Sequence, residues 1–243
     1  MPVYRLDIAY DGTDFRGYAA QRGQRTVQEV LEEALARATG PVATAVAGRT
    51  DAGVHAARQV VSVVAERSID TGRLQRSLQR LLPEDVSVLD CLEEQEGFDA
   101  RFSASSRTYR YYVLNRPVPD PLLRRTTWHV PVSLDLGAMD AAARHFVGRH
   151  DFSSLCRRNE GRSMVREVLL ADWREVEQGL LCFEVTATSF CHQMVRSMVA
   201  LTVEVGRGRI EPEEVPGILA AQDRNAARGA APPHGLVLWD VRY

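Results

Sequence analysis

Three groups of residues in this 243-residue sequence have the chemistry to act on a substrate. The first is Asp51, in Ala47-Gly48-Arg49-Thr50-Asp51-Ala52-Gly53-Val54-His55-Ala56. An ionised carboxylate can serve as a covalent nucleophile. A polar tip bounded by glycines suits a loop that presents side chains from a rigid scaffold. The same residues would also make an ordinary turn, with Asp51 bonded to its own backbone. A carboxylate needs partners to become a nucleophile, and two arginines are candidates. Arg49 lies two residues away, and Arg196 closes the segment Phe190-Cys191-His192-Gln193-Met194-Val195-Arg196. A guanidinium beside a carboxylate favours its charged form. Read alone, Arg196 is equally an exposed helix residue. The third group is Arg107-Thr108-Tyr109-Arg110-Tyr111-Tyr112. On a strand, Tyr109 and Tyr111 share one face while Arg110 and Tyr112 share the other. Aromatic rings interleaved with Arg can stack on unpaired bases. At least one of these two faces is better read as core filling.

Other chemistries find no support. The histidines, His55, His129, His145, His150, His192 and His234, show no metal-ligand spacing. Cys91, Cys156, Cys182 and Cys191 form no C-x-x-C pair. The N-terminal residues go straight into a strand-like pattern with no signal peptide, so the cysteines read as free thiols in a reducing cytoplasm. No phosphate-cradling loop and no G-x-S-x-G elbow is present. Nothing demands a metal, a nucleotide or a redox cofactor. No apolar run approaches the roughly 20 residues of a membrane span.

Hydrophobic content of 45% and charged content of 26% are those of an ordinary globular chain. The net charge of −2 does not advertise a nucleic-acid binder. All 30 basic residues, however, are Arg. Arg makes forked bonds to phosphate and stacks on bases, although genome base composition gives the same bias. Arg101, Arg107, Arg110, Arg116, Arg124 and Arg125 cluster against a single acid, Asp120, and a second group holds Arg144, Arg149, Arg157, Arg158, Arg162 and Arg166. The acids concentrate at 84–99, 172–177 and 211–214, so a near-neutral total can hide a basic face.

The elements that must position these residues follow from periodicity. Tyr4, Leu6, Ile8 and Tyr10 alternate with Arg5, Asp7 and Ala9 as in a half-buried strand, ended by Asp11-Gly12. Thr26-Val27-Gln28-Glu29 fits a capping box, and Val27, Val30, Leu31, Ala34, Leu35 and Ala38 recur at helical spacing up to Gly40-Pro41. Strands are expected at 42–47, 59–65 and 86–92, and a helix runs through Leu74, Leu78, Leu81 and Leu82 to Pro83. The order β-α-β-β-α-β is the ferredoxin-like arrangement. The second half repeats it loosely: a strand at 108–114, a helix at 136–147, a hairpin of 165–175 with 180–188 turning at Gln178-Gly179, helices at 192–205 and 213–222, and a closing strand at 236–241. The boundary is expected near 98–107, giving an N-terminal half of residues 1–104 that carries the Asp51 loop and a C-terminal half of residues 105–243.

Taken together, the sequence resembles the tRNA pseudouridine synthase A family from end to end. The motifs that carry the likeness, in order, are Tyr10-Asp11-Gly12-Thr13-Asp14-Phe15-Arg16-Gly17-Tyr18, Thr26-Val27-Gln28, Gly48-Arg49-Thr50-Asp51-Ala52-Gly53-Val54-His55, Phe98-Asp99-Ala100-Arg101-Phe102-Ser103-Ala104, Arg107-Thr108-Tyr109-Arg110-Tyr111, Gly148-Arg149-His150-Asp151-Phe152-Ser153, Met194-Val195-Arg196, Glu204-Val205-Gly206 and Ala231-Pro232-Pro233-His234-Gly235-Leu236. The resemblance implies an α+β pseudouridine synthase fold: two ferredoxin-like (RRM-like) halves with mainly antiparallel sheets around a central RNA-binding cleft. It implies an isomerase that converts uridine to pseudouridine at positions 38, 39 and 40 of the tRNA anticodon stem-loop. Such an enzyme is a cytoplasmic homodimer and uses no metal and no cofactor. By the same resemblance Asp51 is the nucleophile and Tyr109 packs on the target uracil. Arg196 pairs with the carboxylate, and Arg49 helps eject the nucleotide and hold its place. Three positions depart from the family pattern: Tyr18-Ala19 stands where Trp-Gln is common, Cys191 where a bulky aliphatic residue is usual, and Ala200 where Gly is common. A non-catalytic RNA-binding protein with two RRM-like sheets is the alternative, and an Asp-based hydrolase of a small substrate is a more distant one.

Overall fold

The structure is a computed structural model that describes every residue except 158–160, 162 and 228; Arg158 and Arg162 of the second arginine group therefore lie outside the described residues. It is a mixed α+β protein. In chain order the elements are β1 (Val3–Tyr10), α1 (Val27–Thr39), β2 (Ala43–Val46), β3 (His55–Val64), α2 (Thr71–Leu81), β4 (Val86–Glu94), β5 (Ser106–Leu114), β6 (Trp128–His129), α3 (Leu136–Arg144), β7 (Gly148–Asp151), β8 (Val165–Glu177), β9 (Leu180–Ala187), α4 (Met194–Gly206), α5 (Val215–Ala220) and β10 (Leu236–Arg242). They pack as two units, Met1–Ser105 with Val237–Tyr243, and Ser106–Leu236.

In the first unit β1 lies between β4 and β3, antiparallel to both. Two strands share the other edge of β3. β2 runs antiparallel along residues 61–64, and β10 runs parallel against His55 and Ala56. The alternation expected in β1 is realised, with Tyr4, Leu6, Ile8 and Tyr10 all buried. Together with Val27, Leu31 and Leu35 of α1 and Leu74 and Leu78 of α2 they form the core. Each side chain of this size contributes about 1.5–3 kcal/mol on burial. Asp7 is buried too, and is satisfied by Arg5 Nε at 2.6 Å and Arg58 Nε at 2.7 Å. Thr26 caps α1, its hydroxyl accepting from the Glu29 amide.

β10 corrects one expectation. The strand expected at 236–241 in the second half packs with the first unit, where Val237 pairs with His55 and Leu238 with Ala56. Alternation marks a strand but carries no information about its partner. Around β10, Arg58 reaches Asp240 at 3.6 Å, and the Tyr243 hydroxyl donates to the Ala100 carbonyl at 2.8 Å.

In the second unit the strand order is β5-β9-β8-β7, antiparallel throughout, with β6 a two-residue parallel addition to β5. The β8–β9 hairpin turns at Gln178-Gly179 as expected. Gly179 is required there, with φ +70 and a Cβ that would stand 2.7 Å from Arg116 Cγ. Gly206 lets α4 approach α3, since a Cβ would meet Met139 Sδ at 2.6 Å. The helix expected at 192–205 starts at Met194 because Gln193 is left-handed (φ 67). The helix expected at 213–222 shortens to α5, preceded by a 3-10 turn at Pro212–Glu214, with Pro216 in the first turn of α5, where its missing N–H is tolerated.

The cysteines differ from expectation. Cys156 and Cys191 form a disulfide, with Cα atoms 5.8 Å apart, while Cys91 and Cys182 are free and buried. The bridged residues are 35 positions apart, so no local spacing motif could announce the pair.

Candidate active site

Asp51 sits in the loop between β2 and β3, half-buried, with Arg49 exposed beside it. The segment is also a turn, since the Val54 amide donates to the Asp51 carbonyl at 3.2 Å. The turn is backed by a second loop, residues 11–18. The Tyr18 amide donates to the Thr50 carbonyl at 3.1 Å, and the Gly53 amide donates to the Phe15 carbonyl at 3.3 Å. Contact this close explains the glycines of both motifs. A Cβ on Gly17, which has φ +97, would stand 2.9 Å from the Thr50 carbonyl oxygen, and one on Gly12 would stand 2.0 Å from that of Val54. The Gly12 amide also lies 3.0 Å from His55 Nδ1, which joins the same two segments. Gly12→Ala should therefore push the two loops apart. The expected cost is at least about 3 kcal/mol of stability, measured by urea unfolding, because the clashing atoms are backbone on both sides.

Under the Asp51 loop lies a buried polar cluster. The Tyr10 hydroxyl and the Thr50 hydroxyl are 2.7 Å apart, and Gln59 Nε2 donates to the Gly48 carbonyl at 2.6 Å and to Tyr10 Oη at 3.4 Å. Burial pushes the Tyr10 hydroxyl up to about 12, against the opposing effect of its bonds to Thr50 and Gln59. Tyr18, the departure from the family pattern, is buried at the same place. Its hydroxyl has no hydrogen-bond partner among the described residues.

The second unit holds Tyr109 and Arg196. Tyr109, on β5, is 8% exposed and meets the Phe190 ring edge-on at 5.0 Å. Tyr111, two residues on, is fully buried and donates its hydroxyl to the Pro232 carbonyl at 2.8 Å. Burial drives the Tyr111 hydroxyl far above the usual tyrosine range; the Arg196 charge acts in the opposite direction. Arg196, in the first turn of α4, donates from Nε to the Ala231 carbonyl at 2.7 Å, while the Ala231 amide donates to the Arg196 carbonyl at 2.9 Å. Gly235 completes this clamp, since a Cβ there would stand 2.6 Å from the Tyr111 ring. The Ala231-Pro232-Pro233-His234-Gly235 motif is thus the strap that orients Arg196 and covers Tyr111.

Of the four residues singled out, Arg49 and Asp51 share one loop of the first unit, and Tyr109 and Arg196 belong to the second. On one face of β5 Tyr111 is wholly buried and Tyr109 keeps 8% exposure, while Arg110 and Tyr112 are half-buried on the other. The first arginine group is not a uniform basic face. Arg110 pairs with Glu184 at 2.6 Å, Arg107 is buried with a bond to the Thr188 carbonyl, and Arg116 bonds the Gln178 carbonyl. The sequence reading gives no site role to Tyr10, Gln59, Phe190 or Ala231, although Tyr10, Phe190 and Ala231 lie in its motifs, because a lone Gln in a strand or an aromatic before a helix carries no chemical signature. Among the described residues, no group of three or more His, Cys, Asp or Glu could hold a metal ion.

Similarity to known proteins runs the length of the chain. The family described as tRNA pseudouridine synthase matches residues 8–103 and 142–243. A protein of Frankia casuarinae named tRNA pseudouridine synthase A is 45% identical, with 98% of this chain and 88% of that one covered. A Bacillus subtilis protein of the same name is 41% identical, with 98% of each covered. A solved structure, the archaeal box H/ACA sRNP Nop10-Cbf5 complex, matches at 15% identity and a TM-score of 0.34 over 82% of this chain and 43% of that one, too little to build on.

Proposed function

The chain belongs to the tRNA pseudouridine synthase family, and from that membership we propose that it isomerises uridine to pseudouridine at positions 38, 39 and 40 of the tRNA anticodon stem-loop. The observation that carries the proposal is the agreement of relatives over 98% of the chain at 45% and 41% identity. The Gly48-Arg49-Thr50-Asp51 loop, rigidly backed by residues 11–18, supports it from the side of chemistry.

The target uridine leaves the base stack, at a cost of a few kcal/mol, with Arg49 taking part in its ejection. The Asp51 carboxylate attacks, at C1′ of the ribose or C6 of the base. The N1–C1′ bond breaks, the uracil turns, a C5–C1′ bond forms, and the bond to Asp51 is released, displaced from C1′ by C5 or eliminated from C6. The C5 proton is then lost and N1 gains one, so mass is unchanged. Tyr109 packs on the uracil and takes part in the proton removal. Arg196 is the counter-ion of the nucleophile. Both halves are read as ferredoxin-like. In the first, the β-α-β-β-α-β order and the strand sequence β4-β1-β3-β2 support this. The enzyme is read as a cytoplasmic homodimer, as the family resemblance implies.

The test is direct. The protein, given a panel of unmodified tRNA transcripts, should produce pseudouridine that maps to positions 38, 39 and 40 and nowhere else. Transcripts that are bound but left unconverted would favour a non-catalytic RNA-binding protein.

A further inference from the structure

We infer that Tyr10, Thr50 and Gln59 form a buried relay that sets the position of the Asp51 carboxylate, and hence the rate of the chemical step, without touching the RNA. The inference rests on the reading of Asp51 as nucleophile.

Three observations carry it. The first is burial: Gln59 is 0% exposed, Tyr10 4% and Thr50 7%, so none of the three offers a surface to a substrate. The second is continuity. Gln59 Nε2 donates to Tyr10 Oη at 3.4 Å, and the Tyr10 and Thr50 hydroxyls are 2.7 Å apart, so the three side chains form one unbroken chain. The third is where the bonds end. Gln59 holds the Gly48 carbonyl, Tyr10 holds the Thr50 side chain, and the Tyr18 amide holds the Thr50 carbonyl. The backbone is therefore fixed one residue before Asp51 and again at Gly48. β1 and β3, which carry Tyr10 and Gln59, are paired strands of the core, so the loop inherits their rigidity. A nucleophile displaced by about 1 Å loses on the order of 100-fold in rate. An alternation pattern reads Gln59 as an ordinary strand residue, and only its carbonyl partner reveals the role.

The variants are Tyr10→Phe and Thr50→Val, which keep shape and delete one hydroxyl each, together with the double variant and Thr50→Ser. The readouts are the single-turnover rate of pseudouridine formation, tRNA affinity by filter binding, and the thermal midpoint. Tyr10→Phe and Thr50→Val should each slow the single-turnover step by roughly 10- to 100-fold while tRNA affinity stays within about threefold. The double variant should be no slower than the slower single one, since both break the same link. Thr50→Ser should restore the rate. A full rate in folded Tyr10→Phe or in folded Thr50→Val overturns the relay, as does a parallel fall in rate and affinity, or independent additive losses in the double variant. If Tyr10→Phe does not fold, the Thr50→Val and Thr50→Ser pair decides alone. Asp51→Ala is assayed alongside. Activity in Asp51→Ala sinks the nucleophile reading itself, whereas a dead Asp51→Ala beside a full-rate Tyr10→Phe sinks only the relay.

Discussion

Asp51→Ala should abolish pseudouridine formation, lowering the single-turnover rate by at least about 10⁴-fold, as expected when a covalent nucleophile is removed. Asp51→Asn should do the same, because the amide is nearly isosteric but does not attack. tRNA binding should stay within about threefold and the fold should be intact. The Asp51 side chain is only half-buried, and the loop is held by backbone bonds from Tyr18, Gly53 and Val54, which neither variant removes. The thermal midpoint should therefore move little, a surface change being worth about 0.5 kcal/mol or less. The measurement is tritium release from C5-labelled uridine in transcript tRNA, read beside filter binding. An Asp51→Asn enzyme that turns over at the wild-type rate would remove Asp51 from the mechanism, and a variant that fails to bind tRNA would make it a binding residue.

The second large effect is expected at Arg196. Its proposed role is to hold the nucleophile as an oriented anion, an electrostatic contribution whose loss costs on the order of 10²–10³ in rate. Arg196→Ala should fall by that factor in single turnover, with affinity within about threefold. The structure adds a second consequence. Arg196 Nε donates to the Ala231 carbonyl and Tyr111 donates to the Pro232 carbonyl, so the arginine and the strap are mutually fixed. Arg196→Lys keeps a charge but has no forked group to serve the strap and a second partner together. It should recover only part of the loss. Equal losses of rate and affinity in Arg196→Ala would make it chiefly an RNA contact.

Much of the fold is legible in the sequence. The alternation of Tyr4, Leu6, Ile8 and Tyr10 and the helical spacing of Val27, Leu31 and Leu35 each report a local period, and each produced the expected element with a buried face. Thr26 announced its helix, and Gln178-Gly179 its hairpin, for equally local reasons. What stayed hidden is non-local. β3 begins at His55 rather than near residue 59, because its first residues are paired by distant strands, His55 and Ala56 by β10 and Ala56 also by Tyr10 of β1. The Cys156–Cys191 bridge, the strap over Tyr111 and the hold of Gln59 on Gly48 all join residues whose proximity no window of sequence contains. The site shows the same division. Motif order pointed to Asp51, Arg49, Tyr109 and Arg196, but the reason for Gly12 and Gly17 emerged only when the Val54 and Thr50 carbonyls were found against them.

The return of β10 to His55 and Ala56 also bears on how the protein is made. During synthesis β1 to β4 emerge early, yet the edge of β3 next to the Asp51 loop stays uncovered until the whole second unit has been translated. An open strand edge is a place for wrong pairing, and closing it through so distant a segment is a slow, high-contact-order event. A nascent chain that ends short of Val237 therefore carries every residue of the Asp51 loop but lacks the strand that seals its flank.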